Sequence, residues 1–190
     1  MVKGPAAMRK TIIDTAYTHA CAEGLAALSI RNIAKECNIA VGTIYNYFPD
    51  KAALVTEVIT KFWRTIAFSE ETKSCLDYRQ GENLLVFCER LYTTMQQALH
   101  QFKINWLGEV SSLDARTRQK CRQAENACFE HIYQSLEKVI YADNSIKQER
   151  ITSIGTNKLA RLIWQDIHHS LRMGDDSYKT LFGLLKLALY

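Results

Sequence analysis

Two prolines and eight glycines are all that 190 residues hold of the residues that turn a chain sharply, and no two glycines stand closer than nine positions. That is about half the usual share, too little for the tight turns of a sheet-rich fold. The chain therefore reads as all-α, with helices joined by short loops. The same glycine spacing excludes a G-x-G-x-x-G turn, a P-loop and a G-x-S-x-G elbow, and no H-E-x-x-H occurs, so nucleotide-phosphate chemistry and hydrolysis lack a starting motif. The six cysteines, at 21, 37, 75, 88, 121 and 128, form no C-x-x-C pair and mostly fall inside apolar periodic stretches, as reduced buried thiols do. Cys128 with His131, or His168 with His169, lacks the second pair of ligands that zinc spacing requires, so no metal and no cofactor is expected. An enzyme built on Cys121 or Cys128 with His131 has no third orienting group in the spacing; a redox sensor through either thiol is a variant of that reading. No apolar run approaches the roughly 20 residues that span a bilayer, and Thr11, Asp14, Thr15 and His19 interrupt the run a secretory leader needs. A cytoplasmic location with no membrane partner is the expectation. A net charge of +4 permits contact with nucleic acid without arguing for it.

The first fifty residues read as three short helices. From Met8 to about Glu23, Ile12, Ile13, Ala16, Tyr17, Ala20 and Cys21 recur at intervals of three and four, and Gly24 is a natural stop. Ser29 can cap a second helix whose inward residues are Ile30, Ile33, Ala34 and Cys37. Asn38 can take the left-handed conformation of a sharp turn, and a third helix follows from about Val41 to Tyr47. Pro49 closes it, and Asp50 caps a long helix starting at Lys51. Helices this short persist only by mutual packing, and Leu25, Leu28, Ile33, Ile39, Ile44 and Phe48 supply that core. With Ile44 and Phe48 turned inward, the third helix offers Val41, Gly42, Thr43, Tyr45, Asn46 and Tyr47 to other faces. None is acidic, which suits a helix lying in a major groove among phosphates.

The run from Leu28 to Leu54, with its core Gly42-Thr43-Ile44-Tyr45-Asn46-Tyr47-Phe48-Pro49-Asp50-Lys51, resembles the helix-turn-helix of TetR-family transcriptional regulators. The resemblance covers roughly residues 8 to 60. It implies a DNA-binding domain over 1–50 and a helical effector-binding and dimerisation domain over 51–190. It further implies phosphate contacts from Ser29, Thr43, Tyr45, Tyr47 and Lys51, and base-edge contacts from Val41, Gly42 and Asn46. Two positions depart from the family's commonest pattern. Ala40 stands where a Ser or Thr usually caps the third helix, a loss of about 1 kcal/mol at that terminus. Val41 replaces a frequent Lys or Arg and can pack on a thymine methyl instead. Residues 1 to 60 hold six basic and five acidic side chains, so the electrostatic footprint is modest and affinity would rest on two copies.

Beyond the motif, Leu54, Val58, Phe62 and Ile66 repeat at i+4 on the helix opened by Asp50. Further helices are expected from Glu82 to His100, from Arg116 to Ile140, and, shorter, from Ile104 to Leu113. The last two helices carry wide apolar arcs, and Leu159, Leu162, Ile163, Ile167, Leu171, Leu181, Phe182, Leu185 and Leu189 are read as a homodimer interface in a four-helix bundle. An effector site is implied by the family and only weakly by the residues. Its candidates are Phe62, Trp63, Tyr92, Met95, Phe102, Trp106, Phe129, Tyr133, Trp164 and His168, all of which have a core-packing reading as well. The expected function is a homodimeric repressor on a palindromic double-stranded operator, released by an unknown lipophilic or aromatic small molecule. The alternative is a protein of the same fold that coats DNA or binds other proteins without an effector.

Overall fold

A computed structural model describes residues 4–100, 110 and 113–190. Among these residues there are eleven α-helices and no strand. Phe102, Trp106 and most of the helix expected over 104–113 lie outside the described residues. The chain gathers into two compact units. One takes in the described residues of Met1–Thr65 and Gln101–Cys128, and the other those of Ile66–His100 and Phe129–Tyr190.

The first unit contains α1 (Pro5–Glu23), α2 (Ile30–Glu36), α3 (Val41–Tyr47), α4 (Lys51–Ala67) up to Thr65, and α7 (Ala115–Cys128). Ile12, Ala16 and Ala20 of α1 are fully buried, and Gly24 ends the helix with φ 91°. The trio's core is Leu25, Leu28, Ile33, Ile44 and Phe48, all nearly inaccessible, while Ile39 is only half-buried. Arg9 braces the group, lying over the Phe48 ring at 5.2 Å while its guanidinium meets Glu57 of α4 at 2.5 Å. Lys61 of α4 pairs with Asp14 of α1. The expected i+4 stripe of α4 is buried, together with Val55, Ile59 and Trp63. Against it lies α7, where Cys121 Sγ is 3.7 Å from Thr56 Oγ1.

The second unit holds α5 (Glu70–Leu76), α6 (Leu84–His100), α8 (Glu130–Ala142), α9 (Gln148–Ile154), α10 (Thr156–Met173) and α11 (Tyr178–Leu189). The periodicity expected one helix from Arg116 to Ile140, but the chain breaks at Phe129, whose φ −98° and ψ 2° leave helical geometry. That residue turns its ring onto Trp164 at 4.8 Å and His168 at 5.1 Å, and the packing gained offsets the interrupted ladder. The short helices α5 and α9 had no counterpart in the sequence reading. Yet α5 carries a visible start signal: Ser69 Oγ accepts the Thr72 N–H at 3.2 Å, and Glu70 and Glu71 follow in the first turn. Arg90 of α6 grips Glu82 through Nε at 2.9 Å and Nη2 at 2.6 Å and also donates to the carbonyls of Cys75 and Asp77. This two-pronged pair is largely shielded from water and fixes the end of α5 beside the start of α6. Gly174, at φ 68°, ends α10 in the left-handed cap expected of glycine, its N–H bonding Ser170 O at 2.8 Å.

Candidate nucleic-acid interface

The turn between α2 and α3 is built as its residues dictate. Ser29 Oγ accepts the Asn32 N–H at 3.4 Å and caps α2. Asn38 adopts φ 53°, the one non-glycine residue with positive φ among those described, and the reversal lets the Ile39 N–H reach Ala34 O at 3.0 Å. Ala40 offers α3 no side-chain cap. Asp50 Oδ1 accepts the Ala53 N–H at 2.7 Å and starts α4, leaving Lys51 exposed on its first turn.

Ile44 and Phe48 bury one side of α3, and the other side faces water. Tyr45 is 49% exposed and Val41 38%; Gly42 and Asn46 are exposed, and Thr43 and Tyr47 half-buried. The outward face thus carries hydroxyls, an amide and a methyl surface but no carboxylate. Of the neighbouring acids, Glu36 holds His19 at 2.6 Å and Asp50 caps its own helix. All eight residues expected at the DNA surface therefore lie on the α2–α3 unit or the first turn of α4.

Gly42 has a particular meaning here. A Cβ built on it meets nothing within 4 Å, so internal packing does not require glycine at this position. Gly42→Ala should stabilise the isolated chain by about 0.5–1 kcal/mol, because alanine is the better helix former. If a DNA backbone or base edge approaches this spot, the same substitution weakens operator binding. Thermal melting read beside gel-shift titration checks both halves, and a variant that melts lower than wild type contradicts the open space at Gly42.

The residues expected at an effector site do not form one cluster among the described residues. Phe62 and Trp63 belong to the first unit and meet edge to face at 5.2 Å. The Trp63 indole N–H donates to Glu125 Oε1 at 2.9 Å, a carboxylate only 3% exposed. Glu125 was not singled out from the sequence; it lies at i+4 from Cys121 and i−3 from Cys128, the spacing that could have found it. In the second unit Phe129, Trp164 and His168 pack together, with the Arg161 guanidinium 4.4 Å over the Tyr133 ring. Burial, aided by the charges of Arg172 and His169, pushes the His168 imidazole down to about 3, so it is neutral at physiological pH. Tyr92 stacks on Tyr178 at 3.8 Å, and Met95 Sδ accepts the Thr72 hydroxyl at 3.7 Å.

The thiols are placed as core residues: Cys121 and Cys128 are buried, and burial raises the Cys128 thiol despite the opposing charge of Arg64. His131 spends its Nε2 on Ala67 O at 2.9 Å and stacks on Phe68. No group of three His, Cys, Asp or Glu side chains able to hold a metal occurs among the described residues. None of the described helices is long and apolar enough to cross a membrane.

Of the residues read as a dimer face, Leu159, Ile163, Ile167, Leu171, Phe182, Leu185 and Leu189 are buried within the chain itself. They form the core between α10, α11 and their neighbours and are not free to meet a partner. Leu162 is 49% exposed and Leu181 half-buried, and the outward apolar side chains of α11 are Leu184 and Leu187 at 58% and 80%.

Comparison with known proteins bears on this geometry. The family described as bacterial regulatory proteins, tetR family, matches residues 12–58, the span from α1 into α4. The transcriptional repressor KstR2 of Rhodococcus jostii is 25% identical over 166 residues, covering 85% of this chain and 78% of that protein. A transcriptional regulator of Bacillus subtilis, YuxN, is 39% identical over 54 residues, 28% of this chain and 19% of its own length. The chain thus spans less than a third of the length of several relatives that it matches. Among solved structures, that of Salmonella enterica GusR superposes with a TM-score of 0.55 at 15% identity, over 98% of both chains. A complex of the multidrug-binding protein EbrR with proflavin reaches 0.60 at 15% identity, over 95% of this chain and 99% of that one. These two show a shared fold.

Proposed function

We propose that this chain, whose residues 12–58 match the tetR family of bacterial regulatory proteins, is a DNA-binding transcriptional regulator of that family acting as a homodimeric repressor. The observation that carries this reading is α3: water-facing, free of carboxylates, and aimed by the left-handed turn at Asn38. Asn46, Val41 and Gly42 are assigned to base edges, and Ser29, Thr43, Tyr45, Tyr47 and Lys51 to phosphate oxygens. Two copies of α3 then enter successive major grooves about 34–36 Å apart, or a multiple of that spacing. Leu162, Leu181, Leu184 and Leu187 supply the two-fold face, since they are leucines of α10 and α11 that their own chain leaves at least partly open to water.

A small lipophilic or aromatic molecule is proposed as the releasing effector. The aromatic side chains Phe129, Tyr133, Trp164 and His168 favour a site in the second unit, and Phe62 and Trp63 one in the first. Release follows only from a difference in effector affinity between operator-bound and free conformations. A library of lipophilic compounds that produces no thermal stabilisation favours instead a DNA-coating protein without an effector.

The direct test is selection of DNA fragments by the purified protein, which should recover a palindromic site; recovery of none at low salt overturns the reading. On the recovered operator, Tyr47→Ala and Lys51→Ala should weaken binding across all sequences, whereas Asn46→Ala should change which base is preferred, at about 1–3 kcal/mol for that position. Equal changes in base preference from all three variants would contradict the assignment.

A further inference from the structure

We propose that α7 adds a second contact with the DNA backbone, Arg116 and Lys120 holding phosphates that continue the track begun by Lys51. The inference rests on the DNA-binding reading above and extends the interface beyond the helix-turn-helix. Charge is unevenly divided along this chain. The sequence of the first unit carries 13 basic and 8 acidic residues, the second 11 and 12, so the whole positive excess lies with the helix-turn-helix. Much of it comes from α7, where Arg116, Arg118, Lys120 and Arg122 occur within seven positions and no acid appears before Glu125.

The fold brings part of this run to Lys51. Arg116 and Lys120, one turn apart on a common face, line the same groove as Lys51, an open volume of about 600 Å³ that also includes Asp50, Asp114 and Thr117. The two carboxylates are turned to local duty. Asp50 Oδ1 accepts the Ala53 N–H at 2.7 Å, and Asp114 Oδ1 the Thr117 N–H at 3.0 Å. Arg118 is committed differently, donating to Leu113 O at 2.7 Å. Ion pairs among the described residues engage Arg9, Lys61, Lys73, Arg90, Arg161 and Lys179 and do not involve Lys51, Arg116 or Lys120.

Surface cations of this kind hold a small anion poorly, because no buried donor desolvates it and salt screens the attraction within about 8 Å. A nucleic-acid backbone is different, since each phosphate neutralised releases condensed counterions, and several weak contacts along one strand add. The groove is therefore assigned to operator phosphates flanking the bases read by α3.

The test uses the full chain with two duplexes of equal length, the selected operator and a random sequence, titrated over a range of KCl. Arg116→Gln with Lys120→Gln should make the dependence of log affinity on log salt shallower by about 0.9 for each phosphate contact removed, roughly 2 per subunit. The loss should be equal on both duplexes, leaving their affinity ratio unchanged. A matched loss of charge in the second unit, Lys138→Gln with Lys147→Gln, should leave the slope at the wild-type value, and Arg116→Lys with Lys120→Arg should restore it. Far-UV circular dichroism and melting temperature confirm that the variants fold. A slope unchanged in the α7 variant, or changed no more than in the second-unit variant, overturns the proposal while Asn46→Ala still reports on α3. A chain that selects no duplex at all removes the regulator reading and this proposal together.

Discussion

Replacing Asp143 by alanine should lower stability by about 2–3 kcal/mol at neutral pH, as read by urea denaturation of the full chain, the sum expected from orphaning one buried donor and one part-buried donor. This carboxylate is 4% exposed and ties together three separate parts of the second unit. Oδ2 accepts the Leu84 N–H at 2.8 Å, at the opening of α6, and the Tyr190 hydroxyl at 2.6 Å, just past α11. Oδ1 accepts the Ser145 N–H at 3.0 Å and also the Ser145 hydroxyl, in the loop after α8. Alanine leaves the buried Leu84 N–H without its acceptor and deprives the part-buried Tyr190 hydroxyl of its partner; an orphaned buried donor costs about 1–3 kcal/mol, and one that water can reach costs less. Burial works to raise the Asp143 pKa, but the bonds from Ser145, Tyr190 and Leu84 outweigh it and hold the group below the ordinary aspartate range. The contribution is thus complete above about pH 4, where the unfolded chain's aspartates are ionised, and is lost as pH falls through the folded value. Below about pH 4 the difference between wild type and Asp143→Asn should shrink. A loss under about 1 kcal/mol at neutral pH would show that the three parts hold together without this group.

Phe129→Ala should cost about 3–5 kcal/mol, the range for removing a fully enclosed aromatic ring. Phe129 is 1% exposed and sits edge-on to Trp164, itself 1% exposed, with His168 as the third ring. Alanine removes the reason for the chain to leave helical geometry at this point. Two readouts separate the effects: denaturation reports the lost packing, and the change in the near-UV circular dichroism of the tryptophan region relative to wild type reports the loosened cluster. Phe129→Leu should recover most of the loss, since it refills the volume without the aromatic edge. Stability equal to wild type in the alanine variant would mean that neighbouring side chains collapse into the space.

Where local chemistry decides, the sequence was legible. The bounds of α3, the stop at Gly24, the cap at Ser29, the left-handed Asn38 and the start at Asp50 all follow from the conformational limits of single residues, and all are found. Where tertiary packing decides, it was not. The break at Phe129 has neither glycine nor proline to announce it, because its cause is a ring finding Trp164, far along the chain. The apolar arcs of α10 and α11 were rightly seen as wide, but periodicity cannot say which part of an arc its own chain covers. Inward and outward aliphatic positions look alike in a sequence; here Ile163 is fully enclosed while neighbouring Leu162 is half open. Glu125 escaped notice for a related reason, since an acid on an apolar stripe declares itself only when its partner, Trp63, is known.

The placement of sulfur has a practical outcome for anyone who wishes to watch this molecule work. Four of the six thiols are enclosed, while Cys21 and Cys37 remain partly accessible, both within the unit that carries α3. A maleimide dye added under native conditions should attach at no more than two points, each next to the helices that would meet the double helix. Fluorescence could then follow association in real time with no engineered attachment point.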